Sequence, residues 1–303
     1  MKNVFCTIIS KLRVYQGIVL YRSLFYNTDQ CKLYILCMDH ETYSICCRMN
    51  LRNTILIGVE DIENKQLIMK KNERALNEYC WTLKPFFIEY VLKQCKPDEF
   101  VTYMDADMCF FNDPAPIYQN YGNSAVMLSE HDYFHTYANV ESACGKYNSG
   151  FIIFKNEKSA LEVLQWWQDK CLEWCYDMAL DGKFGDQKYL DYMAVKFQNV
   201  SSIRTPGVNV APWNEGKHVF KIIDNKISVD ENKLICYHFS GFRIVSKDRA
   251  ALVMGDKRVH EIIHLPYISV IKSVIEDVKM VEPNFNGFSI ENKFSKDAAY
   301  VNL

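Results

Sequence analysis

The sequence predicts an α/β fold: a mostly parallel central sheet flanked by helices, with a C-terminal helical appendage. Three observations predict it. Short β-rich runs alternate with helical patterns through the first half, as strands joined by crossover helices do. Of the 303 residues, 49% are hydrophobic, ample for a core that covers both faces of a sheet. The fourth β-rich run ends in Asp105-Ala106-Asp107, at the carboxyl end of a strand, where ligands bind in open α/β sheets.

The elements follow in order. Val4–Ile9 reads as the first strand. A helix over Arg13–Tyr26 repeats Val14, Ile18, Tyr21 or Leu20, Leu24 and Phe25 at helical spacing. Lys32–Met38 is a second strand, Ile45–Met49 the end of a helix, and Thr54–Val59 a third strand. A polar helix spans Lys65–Tyr79. Thr82 can cap the next helix, with Pro85 in a first turn where a missing N–H costs nothing, running to about Gln94. Phe100–Met104 is the fourth strand. Beyond it, Ser124–Leu128 and Asn148–Phe154 read as strands, Ser159–Met178 as a long helix and Asp186–Met193 as a short one. Phe220–Ile223 and Lys233–Tyr237 are short strands. His260–Ile262 and Tyr267–Val281 are helical, and roughly the last 20 residues are polar and less ordered. The expected organisation is one compact domain over residues 1–265, in halves of about 1–110 and 111–265, and a helical tail over 266–303.

Composition excludes several classes. With 35 Lys+Arg against 37 Asp+Glu, the formal charge of −2 does not suit broad phosphate neutralisation, so no nucleic-acid partner is expected. No apolar run reaches the roughly 18 residues of a membrane-spanning helix. The start, Met1-Lys2-Asn3-Val4-Phe5-Cys6, reads as a strand rather than an export signal. The 12 cysteines form no Cys-x-x-Cys pair, which argues against a zinc ribbon or thioredoxin-type site. Reduced, core-packed thiols in a cytoplasmic protein are expected.

Five groups of residues could carry chemistry. Asp105 and Asp107, two residues apart on extended chain, point to one side and repel unless a cation lies between them. Oxygen ligands of this kind suit Mg²⁺ or Mn²⁺, and Ala106 leaves room for a ligand near the backbone. His238 follows an apolar strand and can supply a neutral imidazole as third ligand; Gly241 would permit close approach of a phosphate and Arg243 could pair with it. Asn148-Ser149-Gly150 opens a buried strand with short hydrogen-bonding groups that could hold sugar hydroxyls, or is simply a turn. Asp186, in Gly185-Asp186-Gln187, is either an N-cap or a contact for a sugar hydroxyl, with Gln187 facing the anomeric carbon. Lys84, at an expected helix start where the dipole disfavours a cation, suggests an anionic partner.

The order and spacing of these signals resemble the glycosyltransferases of the GT-A fold, and among them glycosyltransferase family eight, which includes glycogenin and bacterial lipooligosaccharide galactosyltransferases. The resemblance runs from about Asn3 to Arg243: the first strand and helix, Thr82-Leu83-Lys84, Tyr103 to Asp107, Asn148-Ser149-Gly150, Asp186-Gln187, and a late His-x-x-Gly at His238 to Gly241. It implies a catalytic domain over 1–265 with a Rossmann-like central sheet, a nucleotide-sugar half over about 1–110 and an acceptor half over 111–265, and a Mn²⁺ ion (or Mg²⁺) held by Asp105, Asp107 and His238. It implies donor contacts from Lys84, Asn148 and Ser149, a reacting centre at Asp186 and Gln187, and a nucleotide base held near Thr7 and Tyr15. The family's Lys-Pro-Trp after His-x-x-Gly is replaced by Phe242-Arg243-Ile244, so Arg243 is the candidate for the diphosphate. The stretch from Gly207 to Asn214 resembles one in bacterial polysaccharide-cluster members, which places Asn209 and Trp213 near the acceptor.

The activity so implied is metal-dependent transfer of a sugar from a nucleotide-sugar, a UDP-sugar, to a hydroxyl of a glycan or lipid-linked oligosaccharide, with retention at the anomeric carbon, in polysaccharide biosynthesis. The alternatives are a phosphohydrolase of the aspartyl-phosphate type and a non-catalytic nucleotide- or carbohydrate-binding protein. The tail, with Pro266, Tyr267, Ile268, Val270 and Ile271 beside Lys272 and Lys279, is either a helix packed on the catalytic domain or a peripheral contact with the inner face of a membrane that carries lipid-linked acceptors.

Overall fold

The computed structural model describes residues 3–28, 30–253, 257–289 and 298–303. The chain opens with β1 (Asn3–Ile9), α1 (Val14–Asn27), β2 (Cys31–Cys37), α2 (His40–Arg48), β3 (Thr54–Gly58), α3 (Lys65–Glu73), α4 (Leu76–Leu92) and β4 (Phe100–Met104). It continues with β5 (Met108–Phe110), α5 (Ala115–Tyr121), β6 (Val126–Glu130), α6 (Ala138–Cys144), β7 (Tyr147–Lys155), α7 (Lys158–Glu173), α8 (Tyr189–Lys196) and β8 (Val200–Ile203). Three short strands follow, β9 (Phe220–Ile223), β10 (Lys226–Val229) and β11 (Asn232–Lys233), then β12 (Cys236–His238), β13 (Arg243–Ser246) and β14 (Arg249–Val253). The turn α9 (Lys257–Val259) leads through π-helical His260–His264 into α10 (Leu265–Val281), and β15 (Ala298–Asn302) ends the chain.

Seven strands form the central sheet in the order β3-β2-β1-β4-β7-β6-β8. All neighbours are parallel except β7, which runs antiparallel to β4 and β6. The strand period of two sorts β1 between two cores: Phe5 and Ile9 face one apolar cluster, Val4, Cys6 and Ile8 the other. α1 lies close on β1 because Gly17 has no side chain; a Cβ there would fall 2.2 Å from Ile9 Cδ1. Helix starts follow from capping: Asp39 accepts from the Thr42 N–H at 2.8 Å, and Asn64 from the Leu67 N–H at 3.0 Å.

Several elements differ from expectation. The polar helix stops at Glu73, and α4 starts at Leu76, with the Ala75 N–H bonded to Glu78 Oε2 at 2.8 Å. Thr82 is therefore no cap; its hydroxyl donates to the Glu78 carbonyl one turn back, and Pro85 lies inside the helix. Lys84 sits in the third turn of α4, so the helix-start argument for it does not hold. Asp186 is no N-cap either, since α8 begins at Tyr189 behind Lys188. The strands β5, β13 and β14 carried too little periodic signal to be expected. The same holds for β15, which pairs with β14 within the stretch expected to be less ordered.

The tail is built into the core. Tyr267, Ile268, Ile271, Val274, Ile275 and Val278 of α10 join the cluster that holds Phe5 and Ile9. Tyr267, Ile268 and Ile271 are 5% exposed or less, so these atoms are not available to a membrane surface. Among the described residues no helix is long and apolar enough to cross a membrane. All twelve cysteines are free, and eight are buried.

Candidate active site

A cleft of about 840 Å³ opens at the carboxyl ends of β1 and β4. The sheet pairing explains which side chains meet there. β4 ends at Met104, so Asp105 and Asp107 leave the sheet at its mouth. β5 follows at once and pairs antiparallel with β12, with His238 opposite Met108. That register sets His238 Nε2 3.1 Å from Asp107 Oδ1 and 4.0 Å from Asp105 Oδ2. One ligand atom from each of the three residues lies within 4.8 Å of the others. The antiparallel register of β4 with β7, Met104 opposite Phe151, brings Asn148, Ser149 and Gly150 alongside Asp105. The Gly150 carbonyl accepts from the Asp105 N–H at 2.9 Å.

Gly150 is tightly enclosed. A Cβ there would lie 2.6 Å from His238 Cε1, 2.8 Å from Asn148 Oδ1 and 2.8 Å from Asp105 Oδ2. The site thus has two carboxylates and an imidazole converging on one point, over a strand position that tolerates no side chain. That donor set fits a divalent cation.

Lys84 ties this group to the next. Its ammonium, 2% exposed, lies 2.9 Å from Ser149 Oγ, 3.1 Å from Asp105 Oδ1 and 3.4 Å from Asp186 Oδ2. Burial alone disfavours the charge, but Asp105 and Asp186 outweigh it and hold Lys84 protonated well above the usual lysine range. It donates to Ser149 Oγ and lies between the Asp105 and Asp186 carboxylates, so its charge is shared by these two acids. Asp186 is held by the Trp167 indole, which donates to its carbonyl at 2.9 Å. Burial raises the Asp186 carboxyl above the ordinary value, with Lys84 opposing.

Asp107 is the opposite case. Burial works against its ionisation, but Arg13, His238 and Arg243 outweigh that and hold the carboxyl far below the ordinary range. Arg13 Nη2 lies 3.5 Å from Asp107 Oδ2. Burial and Arg13 push Arg243 down to about 9, which leaves it charged at neutral pH.

Of the residues expected at the site, Lys84, Asp105, Ala106, Asp107, Asn148, Ser149, Asp186, Gln187, Trp213, His238 and Arg243 all line the cleft. Gln187 donates through Nε2 to the Cys144 carbonyl at 2.9 Å, and Trp213 stands edge-on to His238 at 5.2 Å. Four do not line it. Thr7 is fully buried within β1. Tyr15 is covered by the chain's own C-terminal segment, with Phe288 stacked at 5.6 Å and Phe285 edge-on at 5.4 Å. Gly241 takes φ +82 in the turn between β12 and β13, so its freedom serves the turn. Asn209 is fully buried behind His238.

Sequence reasoning missed Arg13, Tyr103 and His131. Arg13 lies just past the carboxyl end of β1, and His131 follows β6 directly. The strand-end rule that singled out Asp105 would have found both. Tyr103 donates to Asp105 Oδ1 at 2.9 Å and read only as a strand aromatic.

Comparison with known proteins agrees with this geometry. The family model for nucleotide-diphospho-sugar transferases matches residues 30–201, more than half of the chain. The chain is 38% identical to the uncharacterized protein YfnF of Bacillus subtilis (strain 168), over 95% of this chain and 98% of that protein. It is 29% identical to the uncharacterized protein YfnD of the same strain, over 99% and 98%. A crystal structure of the galactosyltransferase LgtC in complex with donor and acceptor sugar analogs superposes with a TM-score of 0.58 at 14% identity, covering 89% of this chain and 95% of that one. The chain belongs to the nucleotide-diphospho-sugar transferase family and has the GT-A glycosyltransferase fold.

Proposed function

We propose that this chain transfers a sugar, with retention, from a UDP-sugar to a hydroxyl of a glycan or lipid-linked glycan, in a reaction that depends on Mn²⁺ (or Mg²⁺). The observation that carries the reading is the convergence of Asp105, Asp107 and His238, from β4–β5 and β12, within 4.8 Å. These three would hold the ion. When bound, it supplies Lewis-acid stabilisation to the donor diphosphate.

The remaining roles fall to the chain's own residues. Arg13 and Arg243 flank Asp107 and are the positive groups for the charge that builds on the β-phosphate oxygen as its bond to the anomeric carbon breaks. Asp186, held by Lys84, orients the donor sugar together with Asn148 and Ser149. Gln187 faces the reacting carbon. The acceptor hydroxyl attacks from the face that the leaving group departs, and its proton passes to the departing phosphate oxygen. Trp213 offers an aromatic edge for the acceptor. Residues 1–110 supply Arg13, Lys84, Asp105 and Asp107 to the donor site, while 111–265 complete it with Asn148, Ser149, Asp186, His238 and Arg243 and carry the acceptor side. A cytoplasmic setting in polysaccharide biosynthesis suits such a donor.

The test is a thermal-shift and hydrolysis screen of nucleotide-sugars with and without Mn²⁺. A ligand bound only by the folded state raises the melting temperature without any acceptor. Sugar release from a UDP-sugar, abolished in Asp107→Ala with the fold intact, is expected. Phosphate release from monoesters instead would support the phosphohydrolase alternative. Mn²⁺-dependent binding of UDP with no sugar loss from any donor would leave a non-catalytic binding protein.

A further inference from the structure

We infer that Asn209 is a positioning residue: it keeps a proton on His238 Nδ1, and so reserves Nε2 for a cation shared with Asp105 and Asp107. The inference rests on the metal-dependent reading above and deepens it. The polarity of one hydrogen-bond chain carries the argument. It starts at a group whose direction is fixed, the backbone N–H of Gly150, which donates to Asn148 Oδ1 at 3.0 Å. The oxygen of the Asn148 amide is thereby identified, and its Nδ2 faces His131 Nε2 at 3.2 Å. Asn209 Nδ2 lies 3.3 Å from that same Asn148 oxygen and 3.2 Å from Ser129 Oγ. Ser129 already donates its hydroxyl proton to the Phe151 carbonyl at 2.8 Å, so it too can only accept. With both neighbours accepting, Asn209 must place its NH₂ there and its Oδ1 on the other side. That oxygen meets His238 Nδ1 at 3.3 Å. An amide oxygen accepts only, so Nδ1 carries the hydrogen. That leaves Nε2, 3.1 Å from Asp107 Oδ1, as the nitrogen that would offer its lone pair to a cation held with the two carboxylates.

The backbone holds this residue in place. Val210 forms a parallel bridge with Tyr237 and accepts from the His238 N–H at 2.8 Å, which fixes Asn209 beside the His238 ring. Asn209 takes φ +55, a left-handed conformation that asparagine tolerates better than most residues. Its burial removes it from acceptor contact.

Mn²⁺ affinity, read from the electron paramagnetic resonance of the free ion, tests this apart from turnover. Asn209→Ala is expected to weaken binding about 10–100-fold, the usual loss when an outer partner of a metal ligand is removed. Asn209→Asp keeps an oxygen toward Nδ1–H but sets its second oxygen against the Asn148 amide oxygen and Ser129 Oγ, where Asn209 Nδ2 donates in the wild type. It is expected to lose less affinity than Asn209→Ala. Native affinity in Asn209→Ala, or equal losses in both variants, would overturn the inference. Should Asn209→Ala not fold, wild-type protein labelled with ¹⁵N-histidine and loaded with Zn²⁺ decides the matter. A proton on Nδ1 and metal on Nε2 of His238 is expected; the reverse overturns it. Wild type that binds no Mn²⁺ at all would instead sink the metal reading itself.

Discussion

Gly150→Ala tests the site most directly. The added methyl carbon would lie 2.6 Å from His238 Cε1 and 2.8 Å from Asp105 Oδ2, where ordinary contact begins at 3.4 Å. Each of these two candidate ligands must therefore give way by about 0.6–0.8 Å. Metal sites hold their ligand distances to about 0.2 Å, so a displacement several times larger takes the pair out of range. The third neighbour, Asn148 Oδ1 at 2.8 Å, is pushed as well. Overpacking of this kind costs about 1–3 kcal/mol of stability. The strand itself should survive, because β7 is bonded on both sides, to β4 and β6. The assay is Mn²⁺ binding by electron paramagnetic resonance, paired with thermal unfolding in chelator. The expected outcome is a folded protein whose Mn²⁺ affinity falls by more than about tenfold, with excess Mn²⁺ restoring part of the donor turnover. Unchanged affinity in a folded variant would refute the argument, since the ion could not then sit where these three residues converge.

Lys84→Met strips buried Asp186 and half-buried Asp105 of their shared cation and should cost about 3–5 kcal/mol in urea unfolding, much more than an exposed lysine would. Arg13→Ala removes a positive group 3.5 Å from Asp107 and should lower kcat for donor hydrolysis by about 10²-fold, with a smaller change in KM; a pure KM effect would count against it. The depressed Asp107 carboxyl gives a signed pH prediction for the metal-free protein. A lowered folded-state value adds stability that is present above the unfolded value of about 4 and drains away as pH falls through the folded one. Asp107→Asn should therefore flatten acid unfolding below about pH 4, and a variant with the wild-type slope would contradict the assigned role of Arg13 and His238.

The sequence alone determined the strand–helix alternation of the first half, because each element there pairs an apolar period with a turn signal. It also marked Asp105 and Asp107, since two acidic groups at the end of an apolar strand stand out against their surroundings. Residue pattern alone did not determine which distant partners face them; the family resemblance named His238 as third ligand, and only the structure shows how it arrives. His238 lies 131 residues from Asp107, and only the antiparallel pairing of β5 with β12 makes them neighbours. β5 has three residues and no period to read, so that pairing left no mark in the local sequence. Asn209 shows the same limit from the other side. The resemblance of Gly207 to Asn214 suggested contact with an acceptor, yet the bridge between Val210 and Tyr237 turns Asn209 inward. The resemblance placed a nucleotide base near Tyr15, yet Phe285 and Phe288 cover that ring from the far end of the chain. Hydrophobic period and turn chemistry are local and readable in one dimension. Ring orientation, amide polarity and the sharing of Lys84 by two carboxylates arise only when segments far apart in sequence are packed together, and tertiary contacts decided them.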